Sequence, residues 1–170
     1  LTIVLGFASM VLAFSYPFMK RITYWPQLFL GLTFNWGVVM AWTAVNNNIS
    51  TEIIILYISA IFWTLGYDTI YGTQDVTDDE IIGIKSTSIK FKNNIKLFVS
   101  SCYFISSALI VFLFYNKFNL NIFSLLTVAY ILSLMYQIKK FKNDPKECLK
   151  IFKINNLSGF FLFFGIFLIN

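Results

Sequence analysis

Long apolar runs separated by short polar breaks dominate the chain. Six runs reach or approach membrane length, at about 1–16, 26–46, 52–71, 95–115, 119–138 and 151–169; crossing roughly 30 Å of hydrocarbon takes about 20 mostly apolar residues. Each run predicts one spanning helix, so the expected fold is an all-α, multi-pass transmembrane bundle. No internal repeat and no Pro/Ser/Gly-rich linker divides the chain, so residues 1–170 read as part of a single domain.

Composition agrees with this pattern. Hydrophobic residues make up 58% of the chain and charged residues 12%, and the mean hydropathy is +0.72. A water-soluble domain would have nowhere to bury that much apolar surface.

Charge adds an orientation. Of the thirteen basic residues, Lys20 and Arg21 follow the first run, and Lys85, Lys90, Lys92 and Lys96 lie between or flank the third and fourth. Lys139, Lys140, Lys142, Lys146, Lys150 and Lys153 lie at or next to the fifth-to-sixth connection, which leaves only Lys117 for the other side. Twelve against one predicts that these three connections face the cytoplasm, or the matrix in a mitochondrion, with both chain ends on the opposite face. The pI of about 9.2 is then a topology signal, and nucleic-acid binding is not needed to explain it.

The chain has no histidine, which excludes Ser-His-Asp triads, His-based zinc sites and imidazole acid/base chemistry within it. Cys102 lies inside a span and Cys148 in a basic connection, so both are expected to be free thiols.

The stretch YDTIYGTQDVTDDEIIGIKST, Tyr67 to Thr87, holds five acidic residues between Asp68 and Glu80. If the third span stays helical through its exit, Asp68, Asp75 and Asp79 share one face, joined by Tyr71. A purely solvated acidic loop would show no such phase, and Asp68 falls where the span is still embedded, a costly and commonly functional placement. Asp75 and Asp79, at i and i+4, can reach one cation. A calcium-binding EF-hand loop starting at Asp75 fails, because Glu80 stands where glycine is required and Ser86 where glutamate is required. Magnesium suits the pair better: it takes one or two carboxylates and completes its shell with water and phosphate oxygens.

Beyond the acids, Gly83, Lys85, Ser86 and Thr87 have the composition of a Walker A ending without its spacing, since Ile84 separates Gly from Lys. Lys85 is placed to meet phosphate oxygens or simply to fix topology. The same holds for Lys20 and Arg21 in YPFMKRITYWPQ, read as the first cytoplasmic loop. A basic pair facing an acidic metal cluster is a diphosphate-binding arrangement.

YPFMKRITYWPQLFLGLTFNWGVVMAW and YDTIYGTQDVTDDEIIGIKST together resemble the C-terminal half of the UbiA superfamily of aromatic prenyltransferases, in its 4-hydroxybenzoate polyprenyltransferase branch. FKINNLSGFFLFFGI, Phe152 to Ile166, is similar to that family's last helix. The resemblance implies a nine-helix fold around a central cavity, of which the six spans here would be helices four to nine. It implies that Asp75 and Asp79 are the second aspartate-rich motif, binding Mg2+, and that Lys20, Arg21 and Lys85 contact the diphosphate, with Asp68 and Tyr71 as further candidates. The implied reaction transfers a polyprenyl group from polyprenyl diphosphate to 4-hydroxybenzoate in ubiquinone biosynthesis, within the bacterial or mitochondrial inner membrane. Asp75, Asp79 and Lys85 would carry the electrostatic catalysis.

The chain begins at Leu1 within an apolar run. The expectation is a C-terminal piece that lacks the family's first aspartate-rich motif and needs the preceding helices as partners for turnover. Two other readings stay open here, a non-catalytic truncated or split-gene product and a cation transporter.

Overall fold

The computed structural model describes residues 1–142 and 144–169, and the described residues contain helices and turns but no strand. Six helices, Thr2–Ile22, Pro26–Asn46, Thr51–Ile82, Ile95–Leu113, Ile122–Lys140 and Pro145–Phe167, are long and apolar enough to cross a membrane. These match the six predicted runs, with different ends.

The first helix, α1 (Thr2–Ile22), does not stop at residue 16 but continues through Pro17. Proline removes one backbone donor, yet ending the helix there would strand further carbonyls where little water can satisfy them. Lys20 and Arg21 therefore stand in the last helical turn and not in a loop.

The second span is divided at Asn35 into α2 (Pro26–Phe34) and α3 (Trp36–Asn46). The Asn35 side-chain Nδ2 donates to Gly31 O at 2.9 Å, Ala60 O at 3.3 Å and Thr64 Oγ1 at 2.8 Å. The amide competes with the helix's own hydrogen-bond ladder and links the break to the next helix.

That helix, α4 (Thr51–Gly72), is the centre of the bundle. Its N-terminus is capped by the Ser50 hydroxyl, which accepts from the Ile53 backbone N–H at 3.4 Å. It packs most extensively on α7 (Ile95–Leu113) and then on α2. The sixth span is divided like the second, into α9 (Pro145–Lys153) and α10 (Asn155–Phe167), and α10 pairs with α8 (Ile122–Lys140).

Polar side chains link the helices across the interior. Ser59 of α4 donates to Ser106 O at 3.0 Å, and the Ser106 hydroxyl meets Tyr130 OH at 3.1 Å. Tyr103 OH donates to Gln137 Oε1 at 2.7 Å, and Gln137 Nε2 donates to Ser158 Oγ at 3.0 Å. Inside a bilayer, where apolar burial gives little drive for one helix to prefer another, such bonds and close packing decide which helices pair. Cys102 and Cys148 are both buried and free, as expected.

Candidate functional site

The acidic stretch is not one uninterrupted α-helix. After α4 ends at Gly72 the chain tightens into a 3-10 turn, Thr73–Asp75, and then forms α5 (Val76–Ile82). The 22 residues of α4 span about 33 Å at 1.5 Å per residue, the full hydrocarbon thickness. With Thr51 at one boundary, a helix of that length brings Asp75 and Asp79 to the other boundary and leaves Asp68 about one turn inside.

Despite the tightened turn, the predicted phase holds. Asp68, Tyr71, Asp75 and Asp79 all line one small polar cavity of ≈ 80 Å³, together with Tyr16, Lys20, Pro26, Gln27, Gly72 and Ser86. Asp75 occupies the N-cap position of α5, but its side chain makes no capping bond, so the carboxylate stays available. Three carboxylates and one ammonium thus border the cavity. None of them is in an ion pair; the ion pairs within 4.0 Å among the described residues are Lys92–Glu80 and Lys150–Glu147.

A short loop closes this end of the bundle, and four of the five residues of GIKST have a local task. Gly83 ends α5 with φ +79°, a left-handed conformation that glycine takes without a Cβ clash. Lys85 donates its backbone N–H to Lys20 O at 2.8 Å and its ammonium to Ile22 O at 3.2 Å, satisfying carbonyls at the open end of α1. Ser86 caps the single turn α6 (Thr87–Lys90) by accepting from Ile89 N at 3.2 Å. Thr87 shares a hydroxyl–hydroxyl bond of 2.7 Å with Thr69 and gives its backbone N–H to Gln27 Oε1 at 2.9 Å.

Of the basic candidates, only Lys20 borders the cavity. Arg21 is exposed on the same helical turn, and the Lys85 ammonium is directed to the end of α1 and over the Tyr24 ring at 5.6 Å. The residues that sequence reasoning missed are Tyr16, Gln27, Gly72 and Ser86. A signal existed for Tyr16: once the helix is carried through Pro17, Tyr16 and Lys20 are i and i+4 and share a face.

Among the described residues no group of three or more His, Cys, Asp or Glu side chains is close enough to hold a metal, which speaks against an all-protein cage. Carboxylates without ion pairs lie around Gly72, where a side chain would fill the space between Gln27 and Ser88. That arrangement fits an ion held by one or two carboxylates, with water and phosphate oxygens completing its shell.

Two further cavities follow along α4, away from the acidic end. One, of ≈ 350 Å³, lies between Trp63, Thr64 and Tyr67 of α4, Phe34 and Asn35, and the start of α10 at Asn155 and Gly159. The next, of ≈ 200 Å³, is bordered by Leu56, Ala60, Val38 and Leu162. Trp63 Nε1 donates to Asn155 Oδ1 at 3.1 Å across this gap. Phe152 lies against Tyr71 (ring centroids 4.8 Å apart) and Tyr67 (5.8 Å), between the polar cavity and the larger apolar one.

Comparison with known proteins agrees with this architecture. The chain is 40% identical over 171 residues to the mitochondrial 4-hydroxybenzoate polyprenyltransferase of Bos taurus, covering 99% of this chain and 46% of that protein. It is 41% identical over 169 residues to the 4-hydroxybenzoate octaprenyltransferase of Psychromonas ingrahamii, covering 99% of this chain and 59% of that protein. The chain thus spans about half the length of these curated relatives. The apo structure of a UbiA homolog from Aeropyrum pernix K1 superposes with a TM-score of 0.77 at 20% identity, over 96% of this chain and 62% of the other, which shows the fold. Residues 1–165 match the UbiA prenyltransferase family, and the chain, a multi-pass membrane protein, belongs to that family.

Proposed function

We propose that the protein to which this chain contributes transfers a polyprenyl group from polyprenyl diphosphate to 4-hydroxybenzoate, with Mg2+, in ubiquinone biosynthesis. One observation carries the reading: three aspartates and Lys20 border a polar cavity at the end of α4, and apolar cavities follow it along that helix. This gradient suits a substrate with a charged head and a long hydrocarbon tail. The names of the relatives support this donor and acceptor.

In this reading Asp75 and Asp79 hold the metal, with Asp68 behind them. The bound ion would offset diphosphate charge as the C1–O bond of the prenyl donor breaks. Lys20 supplies a fixed positive charge to the leaving diphosphate, and Arg21, exposed on the same turn, is placed to approach it from the headgroup side. Lys85 acts through position: it caps the helix that presents Lys20. Tyr71 and Phe152 form an aromatic wall beside the reacting carbon, where π faces tolerate developing positive charge. Because three carboxylates close enough to enclose a metal are not found among the described residues, the reading includes further acidic groups on additional helices that complete the site.

The test supplies a polyprenyl diphosphate, radiolabelled 4-hydroxybenzoate and magnesium to membranes carrying the intact protein and no endogenous homologue. Prenylated product that disappears on chelation of magnesium is the expected result. Absence of product with every aromatic acceptor tried would overturn the assignment.

A further inference from the structure

Gln27 is 4% exposed, and only one end of its carboxamide is satisfied within the described residues. Its Oε1 accepts from the Thr87 backbone N–H at 2.9 Å. A backbone N–H requires an acceptor, so this contact fixes which way the amide is turned: the oxygen faces Thr87 and the NH2 faces away. Nε2 makes no hydrogen bond among the described residues. It lies 3.2 Å from where a Cβ on Gly72 would stand, and Gln27 and Gly72 line the same cavity as Asp68, Asp75 and Asp79.

The Nε2 atom is not sealed off: among the described residues the enclosed side-chain polar atom without a partner is Thr127 Oγ1, so the free end of the Gln27 amide opens to the cavity it lines. The chemistry of the free end limits what it can receive. A metal ion would need the amide oxygen, which is turned toward the Thr87 N–H and away from the free end. The free NH2 can only donate, so it calls for an anion or a neutral acceptor at a place where carboxylates gather a cation.

We infer that Gln27 is a further substrate-binding residue of this cavity, its Nε2 donating to a phosphate oxygen of the diphosphate that the aspartate-held cation brings in. The inference rests on the diphosphate reading above and adds a neutral donor to the charge of Lys20. It also gives Gly72 a reason. Without a Cβ at position 72 the amide can lie over the end of α4, between the turns that carry Asp68 and Asp75.

The experiment measures binding of magnesium pyrophosphate to the intact protein purified in detergent, by equilibrium dialysis with labelled pyrophosphate. Gln27→Glu keeps an oxygen for Thr87 but removes the donor, and Gln27→Leu removes the donor without adding charge. Gln27→Met replaces Gln27→Leu if that variant is lost on purification. Both variants are expected to bind pyrophosphate about tenfold or more weakly than wild type, the scale of one hydrogen bond to a charged group. Wild-type affinity in either variant overturns the inference: in Gln27→Glu it would reduce Gln27 to a structural tie to Thr87, and in Gln27→Leu it would show the donor to be dispensable. Failure of the wild-type protein to bind magnesium pyrophosphate at all would overturn the diphosphate reading itself, which separates the two failures.

Discussion

Lys85 gives its backbone N–H to the carbonyl oxygen of Lys20 at 2.8 Å, joining two segments 65 positions apart in sequence. The loop after the acidic helix is thereby held to the end of α1, and Lys20 is presented to the cavity while the Lys85 ammonium remains on Ile22 O. The two lysines should respond differently to replacement. Lys20→Met is expected to weaken magnesium pyrophosphate binding about tenfold or more, and Lys85→Met to weaken it less, through loosening of α1. Affinities measured side by side decide the matter; a larger loss at Lys85 would reverse the roles.

Asp75→Asn and Asp79→Asn are each expected to lower magnesium-dependent prenyl transfer at least about a hundredfold, the scale of removing a group that stabilises developing charge. Asp75 is exposed and Asp79 partly so, and neither side chain makes a hydrogen bond or ion pair within the described residues. Detergent melting curves should therefore match wild type. Near-normal turnover in either purified variant would remove it from the metal site.

Gly72→Ala places a Cβ 2.7 Å from Ser88 Oγ, a hydroxyl that donates to Thr69 O at 2.8 Å inside the bundle. One of the two must move, so a loss of about 1–3 kcal/mol is expected from overpacking. Pyrophosphate affinity should fall as well, because the same methyl presses on Gln27. A variant that melts and binds like wild type would show that this corner relaxes freely.

Tyr103 OH and Gln137 Oε1 meet at 2.7 Å between α7 and α8, both side chains almost wholly buried. Tyr103→Phe should cost about 0.6–1.7 kcal/mol, the range for interhelical hydrogen bonds in membranes. A double-mutant cycle with Gln137→Leu should show coupling of the same order. Additive losses would mean that the bond contributes nothing beyond packing.

Topology has its own check. With the buried native cysteines replaced by alanine, Asn47→Cys and Lys146→Cys should be labelled by an impermeant maleimide from opposite sides of the membrane. Labelling of both from one side would overturn the orientation read from the lysine distribution.

Several features were legible in sequence because they depend on local order alone. Hydropathy is set by composition within one run, so the six spans appeared where the structure has them. The alignment of Asp68, Tyr71, Asp75 and Asp79 followed from the 3.6-residue period, and the short 3-10 turn at Thr73–Asp75 did not remove them from a common cavity. Family membership was equally legible, carried by the same acidic stretch and its GIKST ending.

Other features depended on partners distant in sequence. The apolar run suggested an end to the first helix near residue 16, whereas the helix reaches Ile22 with its last carbonyls met by Lys85. The breaks at Asn35 and Ile154 lie inside apolar runs; Asn35 and Asn155, within or next to them, bond across to Thr64 and Trp63. Gln27 is one polar residue beside a proline until Thr87, 60 positions later, takes its oxygen and leaves its NH2 facing the cavity. Sequence by itself determined which segments enter the membrane and which face of the third span carries the acids, because transfer free energy and helical phase are properties of single segments. Only the tertiary structure decided which lysine faces the acids, where the helices break and which buried amide keeps a free donor, because each of those depends on a hydrogen bond that exists only once the helices have packed.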